Sequence, residues 1–169
     1  RDFLLVEGKV AGEPMYVIVN HWPSRREGQQ VSSIFREEEA KHVRQVCDSV
    51  LKKNGKAHII VMGDFNDDPA DKSILEVMGA KATATEKEKS GFFNTMSSVI
   101  DPNSKGTLTY DGKWNLFDQF LLSNNLINGK SKVQYLTNSA DVFCPEWLKV
   151  GFGKGKDNPK RSIFRDKFQ

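Results

Sequence analysis

Residues 58–69 read His-Ile-Ile-Val-Met-Gly-Asp-Phe-Asn-Asp-Asp-Pro, an apolar run followed at once by a polar one. The run His58–Met62 predicts a strand, because it is short, rich in apolar residues and bounded by Gly63. It is apolar at successive positions, which is typical of a central strand covered on both faces of an α/β sheet. Ligands usually bind beyond the carboxyl ends of such strands, so the polar half predicts a functional loop.

The polar loop holds more carboxylates and amides than local structure requires. A helix N-cap and turn account for Asp68 and Asp67, but they do not call for Asp64 and Asn66 as well. A calcium-binding loop starting at Asp64 is excluded, because its sixth position is a proline where glycine is required. The loop therefore predicts catalytic residues.

Composition excludes several classes of protein. Hydrophobic residues make up 38% of the 169 residues and charged residues 28%, which is too apolar for a disordered chain. No apolar run reaches the roughly 18–20 residues that a membrane span needs. Two cysteines, Cys47 and Cys144, are too few for a disulfide scaffold or a cysteine-based zinc site.

The net charge of +3 is unevenly distributed. Residues 151–169 carry six Lys or Arg and two Asp, a local balance of +4, whereas residues 1–150 carry 19 basic and 20 acidic residues. Such a tail is typical of a solvated terminus and also of a surface that attracts phosphate, and both interpretations stay open.

Periodicity predicts the element order β-β-α-β-α-β-β-β and hence a mixed α/β sheet. The predicted strands are Phe3–Val6, Met15–Val19, His58–Met62, Thr107–Tyr110, Leu116–Leu122 and Val133–Leu136; the two predicted helices are residues 33–53 and one opened by Asp68–Pro69. A short helix near Phe92–Val99, within loops, is predicted in addition to this order. The turn Asp111–Gly112 predicts a hairpin between Thr107–Tyr110 and Leu116–Leu122. The two longer helices cover one face of the sheet at most, so something else is expected to cover the other.

Two further polar clusters accompany apolar strands. The sequence Asn20-His21-Trp22-Pro23-Ser24-Arg25-Arg26 ends the second strand, and its His, Ser and Arg side chains are of the kind that bind phosphate. Asp118 lies within the apolar run 116–122, where a charge needs a partner. Orienting a histidine is the use that such a carboxylate has in catalytic triads.

Together these motifs resemble the endonuclease/exonuclease/phosphatase superfamily, the deoxyribonuclease I-like group. The matching stretches are Asn20-His21-Trp22-Pro23-Ser24-Arg25, Gly63-Asp64-Phe65-Asn66-Asp67, and Asp118-Gln119 at the start of an apolar strand that ends in Ser, in the family's order over residues 1–123. The resemblance implies a four-layer α/β sandwich of two packed mixed sheets. It also implies a site that depends on Mg²⁺ or Mn²⁺ and a phosphate-ester substrate, such as nucleic acid or a phospholipid headgroup.

The resemblance implies a role for each matching residue. His21 would stabilise charge on the phosphoryl group, Asp64 would deprotonate the attacking water, Asn66 would orient Asp64 or bind a phosphate oxygen, Asp118 would fix a histidine, and Arg25 would bind substrate. The matching residues assign no metal ligand.

The sequence also departs from the family pattern. The family's metal-binding Asn and Glu come from an N-terminal half that does not precede Arg1, and its closing Ser-Asp-His box has no counterpart after Asp118. We therefore expect residues 1–169 to form one domain, the C-terminal portion of such a hydrolase, inactive by itself. The missing half or a second chain would cover the open face of the sheet. The alternative is a catalytically incomplete fragment or a binding module of the same fold.

Overall fold

The computed structural model describes residues 2–83, 91–99, 101, 105–110, 113–128 and 130–150. The basic tail 151–169 and the predicted turn Asp111–Gly112 lie outside these residues. The main sheet contains six strands: β1 (Leu4–Val10), β2 (Glu13–His21), β3 (His58–Asp64), β4 (Ala80–Lys81), β5 (Phe92–Asn94) and β8 (Asp118–Ser123). Their order across the sheet is β1-β2-β3-β8-β5-β4. A second, two-stranded sheet contains β6 (Leu108–Tyr110) and β7 (Lys113–Asn115). Parallel and antiparallel pairs both occur in the main sheet, so the predicted mixed α/β class is confirmed.

One long helix, α1 (Gln29–Lys53), covers one face of the main sheet. Its buried residues Ala40, Val43 and Cys47 recur at helical spacing and pack in one core cluster with strand residues. The helix begins four residues before the predicted start of residue 33, because the one apolar residue of its first turn, Val31, is exposed and does not extend the buried stripe. It ends at Lys53, before the predicted stop at Asn54. No helix in the described part of the chain is long and apolar enough to cross a membrane.

The two faces of the main sheet differ in how they are covered. Ile18, Val61 and Leu121 belong to the core under α1, whereas their neighbours along each strand point to the opposite face. On that opposite face, part of the strand surface packs against Leu126, Ile127, Val133 and Tyr135. We call this surface, away from α1, the open face.

Several predicted elements are wrong. Asp68–Pro69 does not open a regular helix: a turn follows, and then a single π-helical segment, Ser73–Val77. Asp68 instead accepts the backbone N–H of Leu116 at 2.7 Å, so its carboxylate joins two loops rather than capping a helix.

The remaining errors concern short apolar stretches. Phe92–Val99 is not a helix but β5 followed by a turn. Leu116–Leu122 does not pair with Thr107–Tyr110, because β7 takes that place and β8 lies between β3 and β5. Val133–Leu136 is not a strand: Val133 and Tyr135 pack on the open face as part of an irregular segment, and Leu136 is exposed. In each case tertiary packing overrides a local pattern that is too short to decide.

Candidate active site

Three of the predicted site residues form one row across the end of the main sheet. His21 is the direct partner of Asp64 in the parallel pair β2–β3, and Asp64 is the direct partner of Asp118 in the antiparallel pair β3–β8. Paired residues on neighbouring strands lie about 5 Å apart and point to the same face. Since Asn20 and Gln119 are buried on the other side, the row lies on the open face.

His21 and Asp64 are the accessible members of this row. The imidazole Nε2 of His21 lies 3.8 Å from Oδ2 of Asp64, and the two side chains are 64% and 38% exposed. That separation is longer than a hydrogen bond and leaves both groups within reach of a shared ligand.

Asp118 has an altered affinity for protons. Its pKa is raised above the ordinary value, first by partial desolvation and then by the neighbouring Asp64 carboxylate, while a hydrogen bond from Thr107 and the proximity of His21 oppose the rise. The hydroxyl oxygen of Thr107 also accepts the backbone N–H groups of Phe117 at 3.1 Å and Asp118 at 3.2 Å. No sequence pattern pointed to Thr107, because a threonine before a strand is ordinary.

Asn66 orients Asp64 through its backbone. The N–H of Asn66 donates to Oδ1 of Asp64 at 2.9 Å, and its side-chain amide donates to the carbonyl of Trp22 at 2.9 Å. The residue has φ = 51°, a left-handed conformation that asparagine tolerates better than most residues. This geometry favours the first of its two predicted roles, the orientation of Asp64.

Gly63 allows the two site strands to approach each other. It has φ = 128°, and a Cβ at this position would overlap the carbonyl oxygen of Asn20 on β2. Just beyond it, the N–H of Trp22 donates to the carbonyl of Asp64 at 2.9 Å. The ends of β2 and β3 are thereby held together where His21 and Asp64 stand.

Arg25 lies in the loop after β2 and contacts protein groups. Its Nε donates to the carbonyl of Asn66 at 2.7 Å, and its Nη2 lies 3.1 Å from Asp67 and 2.6 Å from Asp71. The guanidinium also lies over the ring of Phe117, 4.4 Å from its centroid. This geometry favours a structural role, and the assignment of Arg25 as a substrate contact stays a prediction.

Beneath the loop lies a charge cluster that the sequence prediction missed, in which buried Asp67 and Arg36 adjoin the partly buried Arg25. Oδ1 of Asp67 lies 2.7 Å from Nε of Arg36, a fully buried residue of α1. Burial raises the pKa of the Asp67 carboxyl, and the positive charge of Arg36 and a hydrogen bond from Ser73 oppose that rise. A signal was available: Arg36 occupies a position on the buried stripe of α1 with Ala40 and Val43.

The residues described here do not by themselves fit a magnesium or manganese site. Asp64 and Asp118 supply the oxygen donors that such ions prefer. Within the described ranges, however, no group of three or more His, Cys, Asp or Glu side chains is arranged to hold a metal ion.

Sequence comparison decides the family. A model of the Endonuclease/Exonuclease/phosphatase family matches residues 1–168. The chain belongs to this family. Among curated proteins, none matches this family member significantly.

Solved structures with a similar chain path include truncated TDP2 from Caenorhabditis elegans, at 17% identity and a TM-score of 0.49, covering 72% of this chain and 45% of that one. The human nocturnin catalytic domain with bound sulfate is similar at 20% identity and a TM-score of 0.47, covering 92% of this chain and 48% of that one. A mutant beta toxin from Staphylococcus aureus with bound magnesium ions is similar at 19% identity and a TM-score of 0.45, and the match covers 73% of this chain and 42% of that one. This family member thus spans less than half the length of each.

Proposed function

We propose that this chain supplies part of the active site of a metal-dependent hydrolase of phosphate esters, which acts by in-line attack of an activated water. The observation that carries the proposal is the row of His21, Asp64 and Asp118 across three neighbouring strands. His21 and Asp64 end the parallel strands β2 and β3, and Asp118 begins the antiparallel strand β8 beside them. An imidazole beside two carboxylates provides a hydrogen-bond donor and a base in one place. Membership in the family supports this chemistry over other uses of the same groups.

Asp64 is the proposed general base. Its Oδ1 is held by the backbone N–H of Asn66, which fixes the carboxylate and leaves Oδ2 on the side of His21. A water that donates to Oδ2 can lose its proton there as it attacks phosphorus, while the ester P–O bond on the opposite side breaks and the leaving oxygen takes up a proton. Asn66 therefore acts as an orienting residue in the proposed reaction.

His21 is the proposed phosphate contact. Its side chain is more than half exposed and its Nε2 lies next to the proposed base, so it can donate to a phosphoryl oxygen while Asp64 holds the water. Such a donor stabilises the charge that builds on the phosphoryl oxygens in the transition state. Asp118, at the other end of the row, is proposed to fix a histidine contributed from outside the three histidines of this chain.

The proposed cofactor is Mg²⁺ or Mn²⁺, as the family implies. Because the described residues do not form a metal cluster, further ligands have to come from other parts of the protein. In this proposal residues 1–169 form one domain, the C-terminal portion of the family's fold, and the missing half or a second chain covers the open face, where Leu4 and Phe120 are 60% and 43% exposed.

A second candidate function is a catalytically incomplete binding module of the same fold. The incomplete set of metal-binding side chains in the described residues favours it. Both candidates place a phosphate ester at the same row, and they differ in whether the bound ester is turned over.

Hydrolysis by the full-length protein tests the proposal. A bis-aryl phosphate and an aryl monophosphate would be offered with Mg²⁺, with Mn²⁺ and with a chelator. We expect turnover of at least one ester at about 1 s⁻¹ or more with metal, and a loss of about 10²–10⁴-fold in His21→Ala. The matched control is His42→Ala, because His42 is an exposed histidine on α1. No turnover of either ester favours the binding module, and equal loss in both variants contradicts the role of His21.

A further inference from the structure

We infer that Asp67 is a positioning residue. Its buried ion pair with Arg36 fixes the loop that orients the Asp64 carboxylate, and its backbone carbonyl connects that loop to β8, the strand that begins at Asp118. This inference rests on the proposed function, because it names what keeps the proposed base in place. It concerns residues that do not face the substrate side of the site.

The burial of this pair demands an explanation. Arg36 is fully buried and Asp67 is 3% exposed, and their charged groups are 2.7 Å apart. Arg36 also donates to the hydroxyl of Ser32 at 2.8 Å and to the carbonyls of Pro23 at 3.3 Å and Gln29 at 3.2 Å. Desolvating two charges costs several kcal/mol per ion, and apolar residues of the same size often stabilise a fold as well or better. Stability alone is therefore a weak reason for this pair.

The contacts of Asp67 show what the pair holds. Its Oδ1 is shared by Arg36 from α1 and Arg25 from the loop after β2, and its Oδ2 accepts the hydroxyl of Ser73 at 2.6 Å. Its backbone carbonyl accepts Nε2 of Gln119 on β8 at 2.6 Å. Asp67 is thus fixed from several elements at once, with little freedom to shift.

Asp67 is the next residue after Asn66, and this adjacency links the pair to the proposed base. Asn66 holds a left-handed conformation, and its N–H donates to Asp64. A residue other than glycine keeps a left-handed backbone conformation where the contacts around it hold it there. With Asp67 fixed on one side and the carbonyl of Asn66 bound by Arg25, the N–H of Asn66 is aimed at Asp64.

Gln119 extends the same arrangement to the other carboxylate of the row. It is the next residue after Asp118 and is 1% exposed, with Nε2 also donating to the carbonyl of Leu116 at 2.9 Å. Its Oε1 accepts the amide of Asn94 at 2.6 Å. The hydrogen bond from Gln119 to Asp67 therefore holds the loop that follows Asp64 against β8, the strand that begins at Asp118.

The test follows the Asn66 backbone amide proton by NMR in the 169-residue chain as the pH is varied. In the unaltered chain this proton hydrogen-bonds to the Asp64 carboxylate, so its chemical shift should depend on the pH. In Asp67→Asn, which keeps the shape and removes the charge, we expect the pH-dependent shift of Asn66 to be lost. The matched control Asp48→Asn removes an exposed carboxylate that pairs with Arg44, and it should keep the shift.

Two more variants decide the matter if Asp67→Asn does not fold. The double variant Asp67→Asn with Arg36→Gln removes both charges, so it should regain thermal stability without regaining the Asn66 shift. Ser73→Ala removes one hydrogen bond to Asp67 and should reduce the amplitude of the shift in a folded protein. A pH-dependent Asn66 shift of full size in any folded Asp67 variant overturns the inference. Because no turnover is needed, failure of the proposed hydrolase function would leave this result unaffected.

Discussion

At the scale of single residues, Asp118 and Asp64 place two carboxylates side by side at one end of the sheet. The pKa of Asp118 is raised, so the folded protein holds that proton more tightly than the unfolded chain does. The tighter binding of this proton adds to the free energy of unfolding. The added amount is complete below about pH 4, the ordinary range for an aspartate, and it is lost as the pH rises through the raised pKa of Asp118. The ionised form of Asp118 works against stability at neutral pH.

We predict that Asp118→Asn raises the free energy of unfolding at pH 7, because the amide resembles the protonated carboxyl and can still accept from Thr107. The gain should not exceed about 1 kcal/mol, since solvent screens this exposed side chain. It should vanish near pH 3, where the native carboxyl is protonated in both states. Urea denaturation at both pH values measures it. A loss of stability at pH 7, or an equal gain at both pH values, would contradict the assigned shift.

At the scale of elements, sequence patterns succeeded where an element is long or strongly apolar. The apolar stripe through Val43, Val46 and Val50 predicted α1, and the run His58–Met62 predicted β3, because burial on a sheet imposes those periods. Short stretches failed: residues 92–99 and 133–136 take their conformation from what they pack against, which a local pattern does not contain. Asp68 resembled a helix cap, yet it bonds to Leu116, 48 residues away.

The close approach of β2 and β3 at Gly63 gives a prediction for an element boundary. Gly63→Ala should destabilise the fold by roughly 3 kcal/mol or more, because the new methyl overlaps the Asn20 carbonyl and φ = 128° is unsuited to alanine. Chemical denaturation measures the loss. The control is Gly8→Ala in β1, where a Cβ meets nothing within 4 Å, and it should change stability by no more than about 0.5 kcal/mol. Equal effects of the two substitutions would show that the strands do not approach closely at Gly63.

At the scale of the whole molecule, the sequence indicated a site whose parts are far apart in the chain. His21, Asp64 and Asp118 do lie in one row, because each follows or begins a strand at the same end of the sheet. The buried support of that row could not be predicted, since the contacts of Asp67 with Arg36 and Gln119 depend on side-chain packing between distant segments.

The 169-residue chain alone gives a prediction about completeness. It should show no, or barely detectable, hydrolysis of a bis-aryl phosphate with Mg²⁺, because the family's metal-binding Glu motif and closing histidine box have no counterpart in its sequence. Turnover is measured with the chain alone and with the full-length protein. Turnover by the chain alone at about 1 s⁻¹ or more would contradict the view that this chain holds part of the site.

The most direct test of the central claim is the turnover number of Asp64→Asn in the full-length protein. The variant keeps the size of the side chain and removes the proposed base, so kcat for a phosphate ester should fall by about 10²–10⁴-fold. Asp48→Asn is the matched control, because Asp48 is half-exposed on α1 and should leave kcat unchanged. If Asp64→Asn kept the kcat of Asp48→Asn, Asp64 would not be the base and the proposed mechanism would be wrong.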